Sequence, residues 1–195
     1  MTDCDCHFEA RDAEQRKVLL TVFAINSVMF VAEFIVGIFA QSSGVIADSL
    51  DMLADALVYG VVLAAIGRAA ALKQRAARWS GMFQLGLALC ILGDVVRRAV
   101  YGSEPQSGLM MGIASVALGA NAYCLSLLQT HRHGEVHMRA SWIFSRSDVI
   151  ANAGVILAGL LVWLTGSRWP DLIVGSAIAA VVVKGGVEIL REAGA

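Results

Sequence analysis

Apolar residues fall along this chain in six runs separated by short polar stretches. The runs cover approximately residues 18–40, 44–66, 80–100, 107–128, 140–164 and 170–190. Each has the roughly 17–25 residues that an α-helix needs to cross a bilayer, and each is rich in Leu, Val, Ile, Ala and Gly. A helix satisfies its own backbone hydrogen bonds, which the hydrocarbon interior requires. The pattern predicts an all-α membrane protein with six transmembrane helices. QSSG joins the first two and TGSRWP the last two, with Pro170 suited to the first turn of the sixth.

Composition agrees. Hydrophobic residues make up 57% of the 195 and charged residues only 16%, against about 25% in ordinary soluble domains. The formal net charge of −1 implies no nucleic-acid partner. The opening MTDCDCHFEARDAEQRK is polar and mixed in charge, unlike a secretory signal. We divide the chain into an N-terminal tail (1–17), a six-helix membrane domain (18–190) and a short C-terminal tail (191–195), and expect the function to lie in the helices, their loops and the N-terminal tail. With the N-terminus inside, the inner segments hold Arg11, Arg16, Lys17, Arg68, Lys73, Arg75, Arg78, Arg132, Arg139 and Arg191, and the outer side only Arg97, Arg98 and Arg168. The asymmetry predicts cytoplasmic termini in a cytoplasmic-membrane protein, with Arg97 and Arg98 snorkelling to the outer interface. Cys90 and Cys124, in apolar runs, read as buried packing.

The chemistry sits in the second run, GVIADSLDMLADALVYGVVLAA. A charged side chain at the centre of a membrane helix costs roughly 2.5–3.5 kcal/mol on insertion scales, and here Asp48, Asp51 and Asp55 lie at helical spacing on one face. In the fifth run Asp148 is followed one turn later by Asn152, and in the first Asn26 and Glu33 are seven apart. Turning these stripes towards one another is the economical packing. A lone carboxylate such as Glu33 or Asp48 serves equally well as a structural hydrogen-bond partner. The set Asp51, Asp55 and Asp148 has too few intramembrane cations to neutralise it and must bind protons or a metal cation. Gly108, Gly112, Ser115 and Gly119 in the fourth run, and Gly175/Ala179 and Ser176/Ala180 in the sixth, form small-residue stripes that predict close helix packing.

The stretch NSVMFVAEFIVGIFAQSSGVIADSLDMLADA together with SDVIANAGVILAG resembles the cation diffusion facilitator family of divalent-metal/proton antiporters. The resemblance spans essentially the whole membrane part. It implies a transport site of four ligands, two on the second helix and two on the fifth, each pair four apart. By position these are Asp51, Asp55 and Asp148, with the fourth falling on Phe144, which cannot bind metal. Asn152, Ser145, Ser147, Asp48 or water could replace it, and Asn152 faces the right way. Family members usually carry a cytoplasmic C-terminal domain that helps them dimerise; here only REAGA follows the sixth run, so a homodimer would rest on membrane helices.

An all-oxygen site suits Mn²⁺, Fe²⁺ or Co²⁺ somewhat better than zinc. The tail DCDCH, with Cys4, Cys6 and His7, offers softer ligands, too closely spaced for a closed site but able to capture metal loosely. HRHGEVH, with His131, His133, Glu135 and His137, resembles in reduced form a His-rich loop of the family; as bare sequence it reads as a solvated linker. The expectation is a transporter rather than an enzyme, exporting Zn²⁺ (Cd²⁺ or Co²⁺ as alternatives) in exchange for protons, with lipid, metal ions, protons and a second copy as partners and no cofactor beyond the transported ion. A non-transporting metal-binding subunit or sensor, and a proton-coupled exporter of organic cations, are the competing readings.

Overall fold

The computed structural model describes residues 3–65, 70–130 and 136–192, with side chains described over 14–61, 63, 75, 77–130 and 141–191. Six helices follow one another: α1 (Asp3–Phe39), α2 (Ser43–Ala65), α3 (Ala70–Tyr101), α4 (Ser107–Gln129), α5 (Val136–Thr165) and α6 (Trp169–Glu192). Five of them contain segments long and apolar enough to cross a membrane, beginning at Glu14, Ala77, Ser107, Ser141 and Trp169. The exception is α2, which has similar length but carries Asp48, Asp51 and Asp55. The protein is an all-α, multi-pass integral membrane protein. Helix α1 runs on from its apolar segment through the polar residues before it, so its backbone is helical from Asp3.

The bundle is built around α2. Its most extensive interfaces pair α1 with α2, α4 with α5 and α3 with α6, and α2 also touches α3, α5 and α6. Helix α1 buries a single stripe, with Gln15, Leu19, Val22, Asn26, Met29, Glu33 and Gly37 inside at spacings of three or four. Helix α2 is different: residues 43–52 are buried on every side, as befits an element surrounded by others. Small residues let neighbours come close. A Cβ on Gly37 would stand 2.9 Å from Ile46 Cγ1, and one on Gly175 would stand 3.1 Å from the Ser43 backbone. Gly81 and Gly186 likewise bring α3 against α6.

One end of the bundle, opposite the chain termini, is tied by polar contacts. Ser42 caps α2: its Oγ accepts a hydrogen bond from Val45 N at 3.0 Å. Asp171, fully buried near the start of α6, completes the cap from another helix. Its Oδ1 accepts from Ser42 Oγ at 2.5 Å and Gly44 N at 2.9 Å, and its Oδ2 from Ser43 N at 2.7 Å. A carboxylate suits the orphan N–H groups and positive end of the α2 dipole. Alongside it, Ser43 Oγ donates to Asp94 Oδ2 at 2.9 Å, and Asp94 also receives Arg98 Nε at 2.7 Å and Arg97 Nη2 at 2.8 Å. The loops join in: Gln106 N donates to Ala40 O, and Arg168 Nη2 to Ala99 O.

Several sequence expectations change here. Ser43 and Gly44 belong to α2 rather than to a four-residue loop, because the Ser42 and Asp171 cap starts the helix early. Arg98 does not snorkel outwards; it is buried because Asp94 neutralises it on its own helix. The α4 stripe is not an internal packing surface: a Cβ on Gly108, Gly112 or Gly119 would meet nothing within 4 Å, since α4 turns Met110, Ala114, Ala117, Asn121, Cys124 and Leu128 inward instead. In α6, Gly175 and Ala179 pack as expected while Ala180 is exposed. Cys124 is buried but Cys90 is exposed, because the α3 stripe that faces the bundle is Leu87, Ile91 and Val95. Pro170 does occupy the first turn of α6.

The trans cap gives a direct test. Asp171→Ala should destabilise the purified protein by at least about 1.5–3 kcal/mol, the worth of a hydrogen bond to a buried charge, and Gly175→Val should lower its thermal unfolding temperature as well. Gly112→Val should leave that temperature unchanged.

Candidate metal centre

Three carboxylates meet the same cavity. It has a volume of about 110 Å³ and lies between α2, α3, α5 and α6, with Asp51, Asp55 and Asp148 in its wall beside Phe144, Ser147 and Gln84. The aspartates are 7%, 4% and 2% exposed. Helical periodicity brings them there: Asp51 and Asp55 are one turn apart, and Asp148 stands on the buried stripe of α5, with Ser141, Ser145, Asn152 and Val155. The mouth is marked by Lys184 and Glu188 of α6, which are 77% and 59% exposed at the side chain and 3.9 Å apart. These residues lie in the last three turns of α6, so the cavity opens towards the end that carries the chain termini. Among the described residues Lys184 is the only cation in the cavity wall, and Glu188 partners it.

Among the described residues no three His, Cys, Asp or Glu side chains stand close enough to hold one metal ion together. Asp51, Asp55 and Asp148 therefore face a common space without converging on a point. They are nonetheless within mutual electrostatic reach: the charges that act on Asp148 are, strongest first, those of Asp55, Asp51, Asp48 and Glu33. Several acceptor oxygens around one small space repel one another, and a cation or protons between them relieve that repulsion.

A second polar group sits deeper. Asn152 is fully buried and does not reach the cavity wall; its Nδ2 donates to the Asp148 carbonyl at 2.7 Å and to Asp48 Oδ1 at 3.4 Å. Asp48 and Glu33 are buried as well, and Asp48 Oδ2 and Glu33 Oε2 have no hydrogen-bond partner among the described residues. The structure thus divides the sequence-predicted set, placing Asp51, Asp55 and Asp148 at the cavity and Asp48 with Asn152 behind it. Ser147 lines the cavity and Ser145 is buried away from it. His131, His133 and Glu135 lie outside the described residues, and Cys4, Cys6, His7 and His137 outside the described side chains.

Two residues of the site escape a reading by carboxylates alone. Tyr59, fully buried, places its hydroxyl 3.5 Å from Asp55 Oδ2 and from the Ser141 carbonyl; its position one turn beyond Asp55 was the available signal. Gln84, 6% exposed, is the polar interruption in SGMFQLGLALC.

Such a molecule is a multi-pass membrane protein with an acidic cavity buried among its helices. The cation efflux transmembrane domain matches residues 19–195, and the chain belongs to that family. It is similar to the metal cation efflux system protein CzcD of Cupriavidus metallidurans, 24% identical over 188 residues that cover 90% of this chain and 58% of that protein. The zinc transporter ZitB of Pectobacterium atrosepticum is 27% identical over 194 residues, 90% of this chain and 59% of that one. A cadmium, cobalt and zinc/H(+)-K(+) antiporter of Bacillus velezensis is 22% identical over 191 residues, 91% and 61%. The chain spans about three-fifths of the length of these curated relatives.

The cavity wall predicts a labelling pattern. In a background without the four native cysteines, Ser147→Cys should react with a small water-soluble thiol reagent and Ser145→Cys should be protected, as read by mass spectrometry of the labelled protein.

Proposed function

We propose that the chain is a divalent metal cation efflux transporter that exchanges metal for protons across the cytoplasmic membrane, with Zn²⁺ as principal cargo and Cd²⁺ and Co²⁺ as further ones. The observation that carries this reading is the placing of Asp51, Asp55 and Asp148 in the wall of one intramembrane cavity where Lys184, the one cation among the described residues, already has a partner. The names of the relatives support the class of cargo, and one of them supports exchange against H⁺.

In this reading both termini are cytoplasmic and metal enters past Lys184 and Glu188. Deprotonated Asp51, Asp55 and Asp148 close on the ion, with Asn152 holding the α5 backbone at Asp148 and contributing from behind the cavity. Cys4, Cys6 and His7 present metal to the entrance. External protons then compete for the same oxygens and release the ion. The buried carboxyls of Glu33 and Asp48 support the exchange, as further acidic groups close by that protons would neutralise. A homodimer belongs to the same proposal, and the outward small-residue face of α4 supports it.

Proteoliposomes test the proposal. Zn²⁺, Cd²⁺ or Co²⁺ should drive proton movement through the wild-type protein, and Asp51→Ala or Asp148→Ala should reduce it to the level of protein-free liposomes; silence with all three metals would overturn the reading. Because the three carboxylates must lose their protons to hold the ion, transport should fall as the pH on the metal-loading side is lowered. Phe144→His should tighten Zn²⁺ binding about tenfold or more, the equivalent of ~1.4 kcal/mol, as measured by calorimetric titration.

A further inference from the structure

Among the described residues no donor reaches the side-chain carbonyl of Gln84. It is more than nine-tenths buried, its Oε1 has no hydrogen-bond donor, and it forms part of the same cavity wall as Asp51, Asp55 and Asp148. An amide carbonyl left without a donor away from water is costly. Such a group is normally satisfied, and an exception calls for a reason. The neighbouring carboxylates cannot provide one when ionised, because they too only accept.

The side chain is also held in place. The amide lies over Gly185 of α6, where a Cβ would stand 2.9 Å from Nε2 and 3.8 Å from Oε1. Gly185 thus leaves the space that the amide fills, at the crossing where Gly81 and Gly186 bring α3 and α6 together.

We infer that Gln84 is a cargo ligand, its Oε1 supplying the fourth oxygen beside Asp51, Asp55 and Asp148 at a site where Phe144 offers none. The inference rests on the metal-transport reading above. It also assigns Gln84 a part in selectivity. A carbonyl oxygen added to three carboxylates makes an all-oxygen set, the donor type suited to Mn²⁺ and similar harder ions, whereas zinc gains more from imidazole or thiolate. Gln84 therefore keeps the site open to harder divalent ions alongside Zn²⁺.

Calorimetric titration of the purified full chain in lipid nanodiscs with Mn²⁺ and with Zn²⁺ tests this. Gln84→Met, close in size but without the oxygen, should weaken Mn²⁺ binding at least tenfold and Zn²⁺ binding less, so that the Mn²⁺/Zn²⁺ affinity ratio falls. Gln84→Glu should tighten both, and Gly185→Ala, which pushes on the amide, should weaken Mn²⁺ in the same direction as Gln84→Met. If Gln84→Met does not fold, Gln84→Glu and Gly185→Ala decide. Unchanged affinities in the folded Gln84 variants, with binding still abolished by Asp148→Asn, would overturn the role of Gln84 and leave the transport site standing. A wild-type protein that binds neither ion would overturn the transport site and this inference together.

Discussion

Everything about this bundle depends on how the N-terminus of α2 is held. That helix carries the carboxylates, and its first turns are enclosed by protein on all sides. Its free N–H groups would be costly in hydrocarbon, and the Asp171 carboxylate meets two of them directly while binding the Ser42 hydroxyl. One residue of α6 therefore fixes the height of α2, and with it the depth of Asp51 and Asp55. Asp94 extends the same control to α3 through Ser43. The close approach of Gly175 to Ser43 is the steric side of this contact: the carboxylate can reach across only because α6 has no side chain there.

The two ends of the molecule differ in kind. At the end opposite the termini, charges are paired and backbone groups are joined across loops. Asp94 forms ion pairs with both Arg97 and Arg98, and Asp171 is matched by a helix N-terminus. Halfway towards the other end the balance shifts to acceptors without donors. Gln84 Oε1, Asp148 Oδ2, Asp48 Oδ2 and Glu33 Oε2 are all buried without a hydrogen-bond partner. An interior that leaves so many oxygens unsatisfied is poised to take up positive charge.

Periodicity made much of this legible in the sequence. The i, i+4 spacing of Asp51 and Asp55, and the isolation of Asp148 in an apolar run, already implied inward faces that meet, and all three do line one cavity. Asp48, a turn nearer the outside than Asp51, could be set apart from the pair by its place on the helix, but the separation of Asn152 from the cavity was not legible, because a linear pattern does not say how far a side chain on a shared stripe reaches. The α4 glycines mislead for a related reason: small residues at helix spacing permit close packing but do not say against what, and here the stripe faces outward. Asp171 shows a third limit. An acidic residue in the first turn of a helix ordinarily serves that helix's own dipole, whereas this one serves α2, and only the three-dimensional crossing of α6 over Ser43 reveals it. Gln84 was visible as a polar break in α3, but its meaning depends on Gly185 and Asp148, far away in sequence.

The connection between α1 and α2 bears on how the protein is made. Helix α2 would enter the bilayer with three aspartates, each costing roughly 2.5–3.5 kcal/mol at depth, so it is the helix least able to insert alone. It follows α1 after a turn of only three residues, with Gln41 in the left-handed region at φ 49°, and Gly37 lets the two helices touch from that turn onwards. The strongly apolar α1 can therefore carry its acidic neighbour into the membrane as the second arm of a preformed hairpin. In a nascent chain, the helix that holds the carboxylates is a passenger of the one before it.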